Sequence, residues 1–161
     1  QLYFMIAGGR SSYAKALKYI SAFDETDLKL AGKGSYTKLT SSGTVCNMGK
    51  YPMPPEIILV YSQTGILLKD NTLLDFSWKR PPLPISGGYP TEKPAELISQ
   101  IIEQSTYKGD LILDPFGGSG VVMQEALKLK RKVHTIDISE VSINNFILPK
   151  LERIDYEQRI Y

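Results

Sequence analysis

One segment limits the fold more than any other: Leu111-Ile-Leu-Asp-Pro-Phe-Gly-Gly-Ser-Gly120, followed seventeen residues later by Asp137. Leu111–Asp114 reads as a short buried strand and Gly117–Gly120 as a glycine-rich turn. Gly120–Lys130 reads as a helix with Val121, Val122, Ala126 and Leu127 inward, and Val133–Asp137 as the next strand. Strand, turn, helix and strand in that order predict an α/β fold with a parallel, doubly wound sheet, incomplete within this chain. Glycines between strand and helix let a ligand approach the backbone closely. An acid at the tip of the second strand can accept hydrogen bonds from ribose hydroxyls. Together they describe a ligand containing a nucleoside, lying over the carboxyl ends of the strands.

The residues also discriminate between such ligands. A dinucleotide fingerprint needs G-x-G-x-x-G/A, but counting from Gly118 its third position is Met123. Asp114, immediately before the turn, would repel a pyrophosphate and attract an ammonium. S-adenosylmethionine carries an ammonium, a sulfonium and a ribose, and no phosphate, so the charge pattern favours it over NAD.

Around this segment the texture changes twice. Leu2–Ala7 reads as a buried strand, Ser11 or Ser12 as the cap of a helix over Tyr13–Phe23, and Leu28–Leu30 as a short strand. Gly32–Pro55 holds four glycines and three prolines without a sustained period and reads as a long loop region. Glu56–Ser62 reads as a strand, with Gly65–Lys69 and Thr72–Trp78 as further short ones. Pro81–Pro94, with five prolines, reads as a connector. Pro94 then opens a helix to about Thr106, with Leu97, Ile98, Ile101 and Ile102 on one apolar face. Ser139 caps a last helix that Pro149 interrupts or shortens. We divide the chain into 1–88, a partial catalytic-domain strand and helix with a recognition-like loop region, and 89–161, the cofactor-binding part.

Composition excludes several classes. In 161 residues, 42% are apolar and 22% charged, which argues against disorder or a fibrous chain. The longest apolar runs, Leu2–Ala7 and Ile57–Tyr61, fall far short of the ~20 residues of a membrane span. With no secretory signal and a single cysteine, Cys46, a soluble cytoplasmic chain is expected. A strand at the first residues needs neighbours to pair with, so the chain reads as the later part of something longer or as one half of a pair. Residues 1–94 hold eleven Lys/Arg against seven Asp/Glu, and residues 95–161 eight against ten. Within Leu28–Pro55 stand Lys29, Lys33, Lys38 and Lys50 and no acid, a pattern suited to loops beside a polyanion or to a solvated surface.

Asp114-Pro-Phe-Gly-Gly-Ser-Gly120 resembles motif I of the amino-methylating DNA methyltransferases, which act on adenine N6 or cytosine N4. Tyr89-Pro-Thr-Glu-Lys-Pro94 is similar to their motif X, commonly His-Pro-Thr-Gln-Lys-Pro. Motif X before motif I, with motif II at Thr135-Ile-Asp137, is the order of the beta group, and the likeness covers about Tyr89–Ile154. Thr40-Ser-Ser-Gly-Thr44 and Glu56–Ser62 match the family more loosely. The resemblance implies a Rossmann-like class I methyltransferase fold, S-adenosylmethionine as cofactor and double-stranded DNA as partner. It places Asp114, Pro115, Phe116, Gly117, Gly118, Ser119 and Gly120 around the cofactor and Asp137 on the ribose. Thr91 and Lys93 would meet the methionine carboxylate, and the Lys29, Lys33, Lys38 and Lys50 group would meet DNA.

One departure matters. The family's catalytic motif, Asp/Asn/Ser-Pro-Pro-aromatic, has no match: Met53-Pro-Pro-Glu56 and Arg80-Pro-Pro-Leu83 lack both flanking residues. The polar residue holds the target amine and the aromatic stacks on the extruded base. A chain without them is expected to bind cofactor and, alone, to transfer methyl poorly or not at all, the catalytic loop coming from a missing half or a second polypeptide. The rival reading is a non-catalytic DNA-recognition or regulatory subunit that keeps a cofactor pocket. A third, methylation of RNA or a small molecule, fits motif X and the basic stretch less well. Cys46 follows Val45 rather than a proline, which disfavours cytosine-C5 chemistry. His134 reads as a core side chain, Lys128–Lys132 as complements to a helix dipole, and Trp78 as packing. No cluster has metal-ligand spacing.

Overall fold

The computed structural model describes residues 2–7, 12–40, 42–45, 47–48, 51–52, 55–63, 75–79, 88–89 and 91–160. The chain divides into two compact units, Gln1–Ile85 and Ser86–Tyr161.

The first unit is built on β5 (Glu56–Ser62). Ile58, Leu59, Val60 and Tyr61 are all buried in succession, so both faces of this strand are covered. That explains its unbroken apolar run, and each such side chain contributes about 1.5–3 kcal/mol of burial. β1 (Leu2–Ala7) and β2 (Lys29–Leu39) pair with its two edges, both antiparallel, and β6 (Asp75–Lys79) adds to β2 in parallel. The sheet order is thus β1-β5-β2-β6. Helix α1 (Ser12–Asp24) brings Ile20 and Phe23 onto Leu59 and Tyr61, with the Phe23 and Tyr61 rings stacked 4.2 Å apart. Burial, and then the charge of Asp24, raises the pKa of the Tyr61 hydroxyl.

The sheet is mixed, because β5 closes against both neighbours antiparallel while β2 and β6 run parallel. One expectation changes in this unit. Gly32–Pro55 is not one long loop: β2 runs to Leu39, and β3 (Asn47–Met48) pairs with β4 (Tyr51–Pro52). Pairing with Val60 and Ile58 of β5 outweighs the weak strand propensity of Gly32 and Gly34. The strand expected over Thr72–Trp78 is described as β6 from Asp75 on; residues 72–74, the strand expected over Gly65–Lys69, most of the Pro81–Pro94 connector and Cys46 lie outside the described residues.

The second unit follows its sequence pattern more closely. Pro94 is fully buried at the start of α2 (Ala95–Ser105), and Leu97, Ile98, Ile101 and Ile102 are its buried face. β7 (Leu111–Asp114) pairs in parallel with β8 (Lys132–Thr135), from Leu111 opposite Lys132 to Asp114 opposite Thr135. Between them, α3 (Val121–Lys128) buries Val121, Met123, Glu125 and Ala126. The expected face was one step off: Val122 and Leu127 are half-buried, whereas Glu125 is inside. Glu125 accepts hydrogen bonds from Ser99 on α2 (2.7 Å) and from Lys128 (2.8 Å), which satisfies its buried charge. The buried Arg131 closes the ends of both helices by donating to the Thr106 carbonyl (2.8 Å) and the Leu129 carbonyl (2.6 Å).

Burial alternates along β7 and β8. Ile112, Asp114, Val133 and Thr135 are half-buried, while Leu111, Leu113, Lys132 and His134 are exposed. The strand read as buried is therefore covered on one face, and His134 is a surface residue rather than a core one. After β8, Ser139 caps α4 (Glu140–Ser142) by accepting from the Ser142 N–H at 3.3 Å. A π turn over Ile143–Ile147 continues without a break into α5 (Leu148–Ile160), so Pro149, directly after the widened turn, does not interrupt the helix. Among the described residues, no helix is long and apolar enough to cross a membrane.

Candidate cofactor site at the glycine turn

The turn between β7 and α3 is held by four backbone constraints. The Gly117 N–H donates to the Ile136 carbonyl (2.8 Å) and the Gly120 N–H to the Gly117 carbonyl (2.7 Å). Gly118 and Gly120 have φ of +50° and +76°, in the left-handed region that L side chains avoid. Gly117 is required for a different reason. A Cβ there would stand 2.4 Å from Thr135 Cγ2 and 2.9 Å from Ile147 Cδ1. The sequence thus needs glycine at 117 for closeness and at 118 and 120 for backbone sign.

Two carboxylates face this turn with opposite electrostatics. Asp137 accepts from the Gly118 N–H at 2.6 Å through Oδ2 and from the Ser139 N–H at 2.8 Å through Oδ1. The Ser139 and Gly118 donors hold its pKa below the ordinary carboxylate range. Among the described residues Asp114 accepts only from the Phe116 N–H (3.2 Å) through Oδ1, and its buried Oδ2 has no hydrogen-bond partner. Burial raises the Asp114 pKa; the Phe116 N–H lowers it, and the negative Asp137 raises it further. Among the described residues neither carboxylate sits in an ion pair. A buried, unsatisfied oxygen beside a second negative charge favours a cationic donor at this point.

The other expected residues fall around the same turn. Ser119 is buried in it, whereas Pro115 and Phe116 are exposed, Phe116 by 86%. Thr91 is exposed, and its carbonyl accepts from Lys93 Nζ at 3.4 Å. Glu92, where glutamine is common in motif X, pairs with Lys150 at 2.8 Å. Sequence reasoning missed Ile138, which is wholly exposed directly after Asp137; an apolar residue following the acid at a strand tip was the signal. It also missed Thr135, on the ladder rung that holds Asp114, whose buried Oγ1 has no partner among the described residues. Tyr89 was missed too: its ring meets Phe146 edge-on at 5.0 Å, and its hydroxyl would lie 3.3 Å from a Cβ on Gly118. Phe116, Ile138, Asp137 and the open Asp114 oxygen fit a nucleoside joined to an ammonium. Among the described residues no group of His, Cys, Asp and Glu could hold a metal ion.

The basic group is less unified than the sequence suggested. Lys29 and Lys33 are exposed on a strand rather than in a loop. Lys29 pairs with Ser62 but Lys33 with Leu59, because the register shifts between Leu30 and Gly32. Three positions on β5 separate them, so the irregularity turns Lys29 and Lys33 to opposite faces of the sheet. Lys38 lies further along β2, and Lys50 lies outside the described residues, as does the Arg80–Leu83 segment.

Strand, glycine turn, helix and acid-tipped parallel strand define an α/β unit of the nucleoside-cofactor kind. A family model described as DNA methylase, of the N6/N4 type, matches residues 64–147, more than half of the chain. The chain belongs to that family. Type II methyltransferase M2.MboI of Moraxella bovis is 54% identical over 44 residues, 27% of this chain and 15% of that protein. DNA adenine methyltransferase YhdJ of Escherichia coli is 29% identical over 126 residues, 65% of this chain and 40% of that protein. The chain therefore spans less than half the length of these curated relatives. Among solved structures, the M1.HpyAVI–SAM complex superposes with a TM-score of 0.72 at 20% identity, covering 93% of this chain and 74% of that one. The cytosine-N4-specific PvuII DNA methyltransferase gives 0.68 at 16% identity, covering 95% and 68%. The fold is that of the class I methyltransferases, as the motif order implied.

Proposed function

We propose that this chain is the cofactor-binding and DNA-contacting portion of a site-specific DNA methyltransferase acting on adenine N6 or cytosine N4. The observation that carries the reading is the buried Asp114 Oδ2 at the mouth of the glycine turn, without a partner among the described residues. A dinucleotide phosphate would be repelled there, whereas an ammonium supplies the missing donor and offsets the Asp114–Asp137 repulsion. S-adenosylmethionine, when bound, supplies an electrophilic sulfonium methyl for displacement by an exocyclic amine.

In this reading Asp114 orients the ammonium and Thr91 with Lys93 receives the carboxylate. Asp137 meets the ribose with the lone pairs left after its two backbone bonds. Phe116 and Ile138 flank the base, while Pro115, Gly117, Gly118, Ser119 and Gly120 form the floor. Residues 89–161 are the cofactor part. Residues 1–88 carry the DNA-facing lysines Lys29, Lys33, Lys38 and Lys50. Since Lys29 and Lys33 point to opposite faces, only one of the two lies against a given duplex. A second polypeptide, or a further segment of the same protein, brings the Asp/Asn/Ser-Pro-Pro-aromatic loop, and the complex works in the cytoplasm beside its DNA.

The absent loop also favours a second reading, a non-catalytic recognition or regulatory subunit that keeps the pocket. Both are tested by supplying methyl-tritiated S-adenosylmethionine and duplex DNA to the chain, alone and with a polypeptide carrying that loop. Label in DNA only with the added polypeptide supports the enzyme reading. Ultraviolet crosslinking of cofactor without transfer in either mixture supports the subunit reading. Neither crosslinking nor transfer refutes both.

A further inference from the structure

Three side chains on the last helical segment converge on the proposed cofactor site from a direction that the motifs do not reveal. Phe146 meets the edge of Tyr89, the first residue of the motif-X segment, at 5.0 Å and 89°. Ile147 fills the space beside Gly117 and Gly120: a Cβ on Gly120 would lie 3.3 Å from its Cα. The aliphatic stem of Lys150 runs past Gly120, with Cδ 3.7 Å from that position, and its ammonium reaches Glu92 Oε1 at 2.8 Å. Lys150 thus touches the glycine turn with its stem and the motif-X segment with its charge. The π turn over Ile143–Ile147, closed by the Leu148 N–H on the Ile143 carbonyl, sets this register. Such widened turns recur where a helix must present side chains to a functional site.

We propose that Phe146, Ile147 and Lys150 form a brace that clamps Tyr89–Lys93 onto the glycine turn, with Lys150 a positioning residue for the cofactor. This rests on the reading of Asp114, Thr91 and Lys93 as cofactor contacts. Lys150 performs two tasks. It fixes the backbone on which Thr91 and Lys93 sit, and it neutralises Glu92, which would otherwise place a bare carboxylate next to the proposed carboxylate subsite. The Glu92 side chain is 37% exposed and that of Lys150 20%, so salt screens the pair in part. Glutamine at 92 would need no such partner; Glu92 and Lys150 therefore act together.

The test is calorimetric titration of the full chain with S-adenosylhomocysteine, a zwitterion without net charge. Lys150→Met keeps the stem and removes the charge, and is expected to weaken binding about three- to fivefold with little change in melting temperature. Adding Glu92→Gln to Lys150→Met is expected to tighten binding again, to within about twofold of the unsubstituted chain. The unsubstituted chain should lose affinity between about 50 and about 300 mM NaCl, and the double variant should lose less. Unchanged affinity in Lys150→Met, or a double variant no tighter than the single one, overturns the brace. If the unsubstituted chain does not bind at all, the cofactor reading fails first and the brace falls with it.

Discussion

Gly117→Ala tests whether closeness, rather than backbone sign, explains the first glycine of the turn. Ordinary contact begins near 3.4 Å, so the new methyl would intrude by 1.0 Å on Thr135 Cγ2 and by 0.5 Å on Ile147 Cδ1. The Ile147 methyl is a flexible end, whereas Thr135 is fixed in β8 beside Asp114. Overpacking of this kind costs about 1–3 kcal/mol. At about 2–4 °C for each kcal/mol in a chain of this size, the melting temperature should fall by roughly 2 to 12 °C. The displaced turn would also pull the Gly118 N–H from its 2.6 Å bond to Asp137, so S-adenosylhomocysteine affinity should fall by more than about tenfold. Thr135→Ser removes the clashing methyl and keeps Oγ1, so the double variant should regain at least half of the lost stability. Thermal scans of the four proteins read this coupling directly. A Gly117→Ala chain as stable as the parent, or no recovery in the double variant, would refute the steric argument.

Asp114→Asn should separate stability from binding. The folded-state pKa of Asp114 is raised, so the stability linked to its proton is present below the ordinary carboxylate range and lost as pH rises through the raised value. The variant should therefore melt no lower than the parent at pH 7 while its S-adenosylhomocysteine affinity falls by about a hundredfold or more, as scans and calorimetry would show. Asp137 is the opposite case: its depressed pKa contributes stability above the unfolded value that disappears as pH falls through the folded one. Asp137→Ala should thus lower the melting temperature at pH 7 and narrow its gap to the parent in acid. For DNA, Lys29→Glu and Lys33→Glu should differ, one reducing duplex affinity and its salt dependence and the other leaving both, because they face opposite ways. Equal effects of the two in a salt titration would contradict that register.

The parts of this fold legible in sequence are those with a local cause. Leu97, Ile98, Ile101 and Ile102 repeat with helical period, Pro94 suits a first turn, and glycines after a strand require a turn, so the second unit could be drawn in advance. Strand β2 could not, because Gly32 and Gly34 gain their strand from distant partners on β5, Val60 and Ile58. Nor could the exposure of Leu111, Leu113 and His134, since an apolar run does not say how many faces are covered. The site divides the same way. Asp114, the glycines and Asp137 stand in one short stretch, but Lys150 reaches Glu92 across 58 residues, and a π turn shifts the register on which such spacing would be judged.

Calorimetric titration of the chain with S-adenosylhomocysteine, with NAD as the control, reaches the central claim most directly. The account predicts saturable one-to-one binding of S-adenosylhomocysteine and none of NAD. Binding of NAD in preference, or of both alike, would contradict the assignment of Asp114 as the partner of a cofactor ammonium.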